Sequence, residues 1–239
     1  MTRTVLITGA SSGIGLQLAK DYASEGWKVI ACGRDKSKLD ANLHADNIDT
    51  VVFDTLNEES INAALAPYLC FDLVILNAGT CEYIDDAKQF DAKLFKRVID
   101  TNVLGTSNCL AATIPKLNNG SQLAVVSSTV TFLPLTRSEA YGASKAALDY
   151  LTRTLAIDLA PHGIDVTLVR PGFVETPLTD KNTFKMPGRI SVSQASQMIR
   201  AGLMKRKKII NFPFLFHAVL KLLSLLPNAL WHRIAVRMG

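Results

Sequence analysis

The feature of this sequence that most restricts its fold is a regular alternation of two kinds of segment. Seven short apolar runs, rich in β-branched residues, are predicted to be strands: Thr4–Thr8, Lys28–Cys32, Thr50–Phe53, Leu73–Leu76, Gln122–Ser127, Asp165–Arg170 and Lys208–Phe212. Five longer stretches with helical spacing are predicted to be helices: Gly13–Glu25, Glu58–Leu69, Ala92–Ile114, Gly142–Ala160 and Val192–Leu203. Strands that are apolar on both faces and alternate with helices form parallel sheets. We therefore predict an α/β fold, with a doubly wound parallel sheet of about seven strands and helices on both faces.

A length of 239 residues is enough for one α/β domain with a sizeable core. The sequence contains no internal repeat and no linker rich in proline, glycine or serine. We predict one domain over residues 1–212, with residues 173–202 as an insertion and residues 213–239 as a helical appendage. Phe184, Met186 and Met198 of the insertion are candidates for an apolar lining, and they are equally suited to packing.

The four cysteines, Cys32, Cys70, Cys81 and Cys109, lack the CxxC spacing and the nearby histidines of a zinc site. This pattern is typical of free thiols in a reducing compartment, so we expect neither a disulfide nor a bound metal. No signal peptide precedes the first predicted strand, which begins at Thr4. We therefore expect a cytoplasmic protein.

A glycine-rich segment, Thr8-Gly9-Ala10-Ser11-Ser12-Gly13-Ile14-Gly15, lies where the first predicted strand turns into the first helix. Glycine permits a tight turn and close backbone approach, and the helix N-terminus presents free N–H groups to a pyrophosphate. A purely structural turn is the alternative, but this placement favours a dinucleotide site. The residues expected to contact the dinucleotide here are Gly9, Ser11, Ser12, Gly13, Ile14 and Gly15.

The end of the second predicted strand bears on which dinucleotide is bound. Sites for NAD usually place an acidic residue there, which holds the ribose 2′-hydroxyl. This strand instead ends Ala31-Cys32-Gly33-Arg34, and an arginine is suited to pair with a 2′-phosphate and to stack on adenine. We predict a preference for NADP(H) over NAD(H), with a solvated loop arginine beside Asp35 as the alternative.

Two further strand ends carry candidate cofactor contacts. Asn77, Ala78 and Gly79 follow the fourth predicted strand, at the edge where ligands bind in doubly wound sheets. An Asn-Gly turn is the alternative interpretation of that tripeptide. Asp54 closes the third predicted strand, where it is suited either to accept a hydrogen bond from an adenine amine or to cap the next helix.

The segment Tyr141-Gly142-Ala143-Ser144-Lys145 carries the strongest indication of chemistry. Tyr141 and Lys145 are four residues apart and project from one helix face. A lysine ammonium near a phenol stabilises the phenolate, which predicts a tyrosine pKa lowered from about 10 towards neutrality and a usable general acid–base. Ser128 is suited to hydrogen-bond a substrate oxygen as charge develops on it. Alone, this spacing also occurs on ordinary helix surfaces; the glycine-rich segment and the Asn-Ala-Gly strand end favour the catalytic interpretation.

In chain order, the glycine-rich segment, Asn77-Ala78-Gly79, Asn102, Ser128, the Tyr141–Lys145 segment and Pro171-Gly172 resemble the motifs of the short-chain dehydrogenase/reductase (SDR) family, over residues 4–212. The resemblance implies a Rossmann-like fold and hydride transfer between a nicotinamide and a carbonyl or alcohol. It implies a catalytic tetrad of Asn102, Ser128, Tyr141 and Lys145. In that tetrad Tyr141 is the proton donor, Lys145 also binds the nicotinamide ribose, and Asn102 holds a water that links Lys145 to solvent.

The same resemblance concerns the segment after the sixth predicted strand. It implies that Pro171, Gly172, Val174 and Thr176 contact the cofactor, with Val174 and Thr176 at the carboxamide. It also implies that residues 173–202 are the family's variable substrate loop, and it favours a homodimer or homotetramer.

Charge is divided unequally along the chain. Residues 1–180 hold 15 Lys/Arg and 21 Asp/Glu, a net charge of −6, whereas residues 181–239 hold 11 Lys/Arg and no acidic residue, a net charge of +11. The segment Phe214–Leu226 is nearly all apolar, and His217, Lys221, Ser224 and Asn228 are spaced as one polar stripe along a helix.

With the basic cluster Lys205–Lys208 upstream and Trp231, Arg233 and Arg237 downstream, this pattern predicts a helix lying in a membrane surface, through residues 205–239. The segment is too short to span a bilayer. Packing over the active site or at a subunit interface is the alternative. Nucleic-acid binding is disfavoured, because no groove-reading motif accompanies the charge.

Together these features predict an NADPH-preferring carbonyl reductase or alcohol dehydrogenase of the short-chain type, acting on an apolar or lipid-like carbonyl. Small polar 3-hydroxy acids or sugars are the alternative substrates. A non-catalytic NADP-binding sensor or scaffold is a second functional class, but all four residues of the implied tetrad are present. The appendage would place the protein at the inner face of a membrane.

Overall fold

The computed structural model describes residues 2–180, 182, 184 and 186–237. Seven parallel strands form a single sheet in the order β3-β2-β1-β4-β5-β6-β7. The strands are β1 Thr4–Thr8, β2 Lys28–Gly33, β3 Ile48–Val52, β4 Phe71–Leu76, β5 Leu117–Val126, β6 Asp165–Pro171 and β7 Ile209–Phe212. The predicted doubly wound parallel sheet is confirmed, and its strand order reverses direction between β1 and β4.

Helices connect the strands and cover both faces of the sheet. They are α1 Gly13–Ser24, α2 Lys36–Asp40, α3 Glu58–Leu65, α4 Ala92–Ile99, α5 Gly105–Thr113, α6 Glu139–Asp158, α7 Val192–Met204, α8 Phe214–Leu223 and α9 Asn228–Val236. Helix α2 was not predicted, and two of the predicted helices differ clearly from their expected extent. The helix expected over residues 92–114 is interrupted by a π-helical turn at Asp100–Leu104, between α4 and α5. Helix α3 ends before Pro67 rather than at Leu69, because proline disfavours the helical conformation of the residue that precedes it.

The core lies in two layers, one on each side of the sheet. Val5 and Ile7 of β1 pack with α1 and α7 on one side. Leu6, between them in sequence, packs with α3, α5 and α6 on the other side. Successive strand side chains point to opposite faces, so a strand apolar at every position is buried on both. Helix α7, which lies within the predicted insertion at residues 173–202, belongs to this core through the buried residues Ala195, Ile199 and Leu203.

The C-terminal appendage is two short helices rather than the single helix that the polar stripe predicted. The pair α8 and α9 is bent by 117°. Pro227 precedes α9 and has no backbone N–H with which to continue α8, so Asn228 begins the second helix and does not extend the stripe of the first. Among the described residues, neither α8 nor α9 alone is long and apolar enough to cross a bilayer, although the bent pair together has sufficient length and apolar character.

Trp231 fastens this appendage to the domain. Its side chain is 6% exposed and packs with Leu133 and Leu220. Its indole Nε1 donates to the carbonyl oxygen of Pro134 at 3.0 Å. The prediction that Trp231 lies at a membrane interface is therefore wrong, because its ring is buried against residues 133–134.

Candidate active site

A cleft of about 680 Å³ follows the carboxyl ends of the strands, on both sides of the point where the strand order reverses. Such crevices are where ligands bind in open parallel sheets. Its walls include residues at the ends of five strands: Thr8, Gly33, Asn77, Ser127 and Pro171. The sheet thus brings together segments that are far apart in sequence.

The glycine-rich segment forms a tight turn in which the glycine positions have little room for a side chain. A Cβ built on Gly15 would lie 2.3 Å from the Gly9 carbonyl oxygen, and Gly9 itself has a φ of +68°. Asn77 Nδ2 donates to the Thr8 carbonyl at 3.1 Å and to the Gly9 carbonyl at 3.4 Å. Asn77 therefore ties the end of β4 to the turn after β1, so that the turn's backbone borders the cleft.

The start of α1 is suited to an anionic group. Ser12 occupies the N-cap position, and its side chain makes no capping hydrogen bond with any described residue. The first N–H groups of an uncapped helix have no intrahelical partner and carry the positive end of the helix dipole. Ser11, Ser12, Gly13 and Ile14 line the cleft at this point. The residues present therefore fit the pyrophosphate of a dinucleotide.

Arg34 also lines the cleft, as does Lys38 from α2. The adjacent Asp35 is the N-cap of α2: its carboxylate accepts from the Lys38 N–H at 3.2 Å and the Ser37 hydroxyl at 2.6 Å. The hydrogen bond from Ser37, with that from Lys38, lowers the pKa of Asp35. Among the described residues, none forms an ion pair with Arg34, so its charge is available to a ligand.

Tyr141 and Lys145 reach the cleft from one face of α6, and Ser128 reaches it from the segment after β5. The Lys145 ammonium lies 5.7 Å from the centroid of the Tyr141 ring and donates to the Val126 carbonyl at 2.9 Å. Lys145 is buried, and this burial lowers its pKa to about 8. The structure thus brings three of the four predicted catalytic side chains to one cleft.

Desolvation sets the protonation of Tyr141. The side chain of Tyr141 retains some accessible surface. Desolvation by the surrounding protein raises the pKa of its phenol, Cys81 raises this pKa further, and a hydrogen bond with Ser128 lowers it. The prediction that Lys145 brings this pKa towards neutrality is therefore wrong for this structure. Loss of hydration outweighs an ammonium that is already engaged with the Val126 carbonyl. Tyr141 is accordingly a protonated phenol, the form that donates.

Asn102 lies behind the cleft wall, in the π-helical turn between α4 and α5, and is fully buried. Its Oδ1 accepts from the Thr80 N–H at 2.7 Å, and its Nδ2 donates to the Thr80 carbonyl and to Ser144 Oγ, both at 2.9 Å. Ser144 Oγ in turn donates to the Tyr141 carbonyl at 2.7 Å. Asn102 therefore joins the segment after Gly79 to the first turn of α6. Insertion of a π-helical turn is a frequent way to place a functional side chain on a helix.

The segment after β6 forms the opposite wall. Pro171, Gly172, Val174 and Thr176, which the resemblance implies as cofactor contacts, all line the cleft. The Thr179 hydroxyl donates to the Val174 carbonyl at 2.5 Å, which closes this segment into a compact turn. A Cβ on Gly13 would lie 3.0 Å from Thr176 Cγ2, so this wall closely approaches the glycine-rich turn.

Some predicted residues lie elsewhere. Asp54 is exposed and does not line the cleft. Its carboxylate accepts a hydrogen bond from the Leu56 N–H at 3.0 Å. Gly15 lies beneath the turn, against the Gly9 carbonyl, where it gives room for the turn rather than a cleft surface. Met198 is on α7 and is not part of the cleft wall.

The cleft also contains residues that the sequence analysis missed: Thr80, Glu82, Arg97, Leu178 and Thr179. Thr80 directly follows the predicted cofactor contact Gly79, so its place in the cleft could have been predicted from the sequence. Arg97 and Glu82 meet as an ion pair at 2.8 Å across 15 positions of sequence. No local sequence pattern predicts an ion pair between residues so far apart in the chain.

The side chains of Tyr83, Phe184, Phe173 and Phe216 form a row of ring contacts, the aromatic row, which ends at helix α8. Ring centroids are 5.7 Å apart for Tyr83 and Phe184, 6.0 Å for Phe184 and Phe173, and 5.4 Å for Phe173 and Phe216. A Cβ on Gly172 would lie 2.9 Å from Phe216 Cδ1. Helix α8 therefore packs directly against the segment that borders the cleft.

The chain matches the family model described as short chain dehydrogenase over residues 3–186. An uncharacterized oxidoreductase of Myxococcus xanthus is 33% identical over 247 aligned positions, which cover 99% of this chain and 97% of that protein. Serine 3-dehydrogenase of Rhizobium radiobacter is 34% identical over 187 positions, which cover 75% of each protein.

Solved structures show the same architecture. A short chain dehydrogenase from Burkholderia cenocepacia, in complex with NADP, is similar with a TM-score of 0.87 and 25% identity, over 97% of both chains. A 3-ketoacyl-(acyl-carrier-protein) reductase from Brucella melitensis, complexed with NADH, is similar with a TM-score of 0.79 and 26% identity, over 87% of this chain and 96% of that one. Structures similar to this chain therefore include complexes with both kinds of nicotinamide dinucleotide.

Proposed function

Because the chain belongs to the short-chain dehydrogenase family of oxidoreductases, we propose that it is an NADPH-preferring reductase of apolar carbonyl compounds. The observation that carries this proposal is the placement of Tyr141, Lys145 and Ser128 around one cleft beside a dinucleotide cradle. Each group has a distinct task in carbonyl reduction.

A bound, reduced nicotinamide supplies the hydride that adds to the carbonyl carbon. Tyr141 donates its phenolic proton to the carbonyl oxygen, so the C=O π bond is replaced by one C–H and one O–H bond. Ser128 lines the same cleft as Tyr141, where its hydroxyl is suited to stabilise the charge that develops on the same oxygen. The Lys145 ammonium stabilises the phenolate that remains. Asn102 acts as a positioning residue, through Thr80 and Ser144.

The preference for NADPH rests on Arg34. Its guanidinium borders the cleft, and the carboxylate of Asp35, which also lines the cleft, is engaged as the cap of α2 by hydrogen bonds from Ser37 and Lys38. An arginine binds a phosphate through charge-assisted, often bidentate hydrogen bonds.

The substrate class rests on the aromatic row. The rings of Tyr83, Phe184, Phe173 and Phe216 contact one another beside the cleft, up to α8, and are not part of the cleft wall itself. Such apolar rings favour a lipid-like or otherwise apolar carbonyl. A small polar 3-hydroxy acid is the second candidate, and the similarity to serine 3-dehydrogenase favours it.

A panel of purified substrates tests the proposal. We expect NADPH oxidation with medium- or long-chain aliphatic or aromatic ketones and aldehydes, at a kcat/KM at least about tenfold above that for the reduction of small polar 3-oxo acids. Tyr141→Phe, which keeps the ring and removes the proton donor, should lower turnover by roughly 10²- to 10⁴-fold. Turnover confined to small polar alcohols would contradict the substrate class, and unchanged turnover in Tyr141→Phe would contradict the mechanism.

A further inference from the structure

The outer face of the appendage carries large apolar side chains in contact with solvent. Phe214 is 80% exposed, Leu215 76%, Leu222 68% and Leu225 75%. Leu215, Val219 and Leu222 are spaced by four and three residues, which places them on one face of α8. Soluble surfaces seldom carry such clusters without a partner.

This exposed face is separate from the face that holds the appendage in place. Phe216, Leu220 and Leu223 of α8 pack against the domain, together with Trp231 of α9. The domain therefore already covers one side of α8, and the apolar residues on the other side have no role in that packing. The outer face needs a further apolar environment.

The charge around this face is positive. Lys221, Arg233 and Arg237 are exposed, and none of them pairs with an acidic residue among those that the structure describes. No Asp or Glu occurs anywhere after residue 180. Apolar side chains flanked by cations complement a surface that is apolar below and anionic above, which is a bilayer leaflet with anionic headgroups.

The basic cluster Lys205–Lys208 is not part of this surface. It precedes β7, whereas α8 follows β7, so the cluster and the appendage lie at opposite ends of that strand. Arg206 forms an ion pair with Asp165 and donates to the Gly120 carbonyl at 2.9 Å, which holds it at the amino edge of the sheet. The membrane-facing region predicted at residues 205–239 therefore contracts to the two helices.

We propose that the outer face of α8 and α9, centred on Leu215 and Leu222 and flanked by Lys221, Arg233 and Arg237, docks on the surface of an anionic lipid bilayer. The two helices lie in the interface and do not span it. Phe216, on the inner side of α8, contacts Phe173 beside the cleft. Docking of α8 on a bilayer therefore brings the cleft close to the lipid acyl chains. The docking itself does not depend on the proposed reductase activity.

Vesicle sedimentation with the full chain tests this proposal. The probes are vesicles of phosphatidylcholine alone and of phosphatidylcholine with about one-third phosphatidylglycerol, and we expect binding to the anionic vesicles. Leu215→Ser combined with Leu222→Ser should lower the partition coefficient at least roughly tenfold. The matched control is Leu69→Ser combined with Met204→Ser, which removes side chains that are 88% and 79% exposed elsewhere and should leave partitioning unchanged.

A second pair of variants tests which basic residues contribute to vesicle binding. Arg233→Glu with Arg237→Glu should weaken binding to the anionic vesicles by at least about tenfold, because each substitution replaces an attraction to the anionic headgroups by a repulsion. Lys207→Glu with Lys208→Glu makes the same change of net charge at the amino edge of the sheet and should have little effect. Circular dichroism confirms that each variant is folded, so the result of this test does not depend on the proposed function.

Two results would overturn the docking proposal. In the first, the wild-type protein does not bind anionic vesicles and is an oligomer in solution, whereas the Leu215→Ser, Leu222→Ser variant is a monomer. The outer face would then be an interface between two copies of this chain. The other is equal loss of binding in the Lys207, Lys208 variant, which would indicate attraction by net charge alone.

Discussion

The protonation of two neighbouring side chains decides how Tyr141 works. Burial raises the pKa of Tyr141 and lowers that of Lys145 to about 8, because desolvation penalises the charged form of each group. The phenol therefore holds its proton at neutral pH, while the lysine is charged below about pH 8 and neutral above it. Carbonyl reduction consumes the phenol's proton and leaves a phenolate, which a charged Lys145 stabilises.

We therefore expect reductive kcat/KM to fall as the pH rises through about 8, since Lys145 then loses the charge that stabilises the phenolate. A pH–rate profile with NADPH measures this limb. Ser128→Ala provides the control, because it removes a hydroxyl from the cleft wall and leaves every charge in place. It should lower the rate without moving the pH at which kcat/KM falls. If the reductive kcat/KM stays constant well above pH 8, the charge of Lys145 does not control proton transfer from Tyr141.

Arg34 provides the second test at a single side chain. Arg34→Ala should raise the KM for NADPH by roughly 10- to 100-fold and leave the KM for NADH nearly unchanged, because hydrogen bonds to charged groups contribute about 1.5–3 kcal/mol. The matched control is Lys36→Ala, which removes an exposed cation two positions away that pairs with Asp40 instead. Equal weakening of both cofactors by Arg34→Ala would refute pairing with the 2′-phosphate.

Among the secondary-structure elements, the appendage depends most on a single contact. Helices α8 and α9 each have only one fully buried residue, Leu220 and Trp231. Trp231 combines ring burial with its hydrogen bond to Pro134, so it supplies much of the attachment of α9. The short helices would be marginal without this tertiary packing.

Trp231→Ala should therefore release the appendage, since removing a buried aromatic side chain costs about 3–5 kcal/mol. Hydrogen exchange of the amides in residues 214–237 should become faster, while exchange in the strands is unchanged. Leu230→Ala, at the adjacent position and 44% exposed, is the matched control and should keep wild-type protection. If α8 and α9 remain protected in Trp231→Ala, Leu220 and Phe216 must hold them instead.

In the whole molecule, the net charge of +11 over residues 181–239 is divided among places with different roles. Arg200 pairs with Asp21 and Glu25 of α1, and Arg206 pairs with Asp165. These cations fasten α7 and the turn after it to the acidic part of the chain. The exposed cations Lys221, Arg233 and Arg237 place part of the remaining charge at the opposite edge of the sheet, where the vesicle experiment measures its effect.

The sequence alone determined the α/β architecture, the glycine-rich turn and the pairing of Tyr141 with Lys145. These features follow from short-range geometry: side-chain alternation along a strand, spacing along a helix, and backbone conformations that glycine permits. A residue's place at a strand end was also readable, because all parallel strands end at the same edge of the sheet.

Only the tertiary structure decided which of those residues share a surface and how they titrate. It left Asp54 outside the cleft, added Arg97 and Glu82 to it, and buried Trp231 against Pro134. It raised the pKa of Tyr141, which the spacing to Lys145 had predicted to fall. Desolvation and long-range contacts depend on what the rest of the chain places around a group, and no local pattern of residues contains that information.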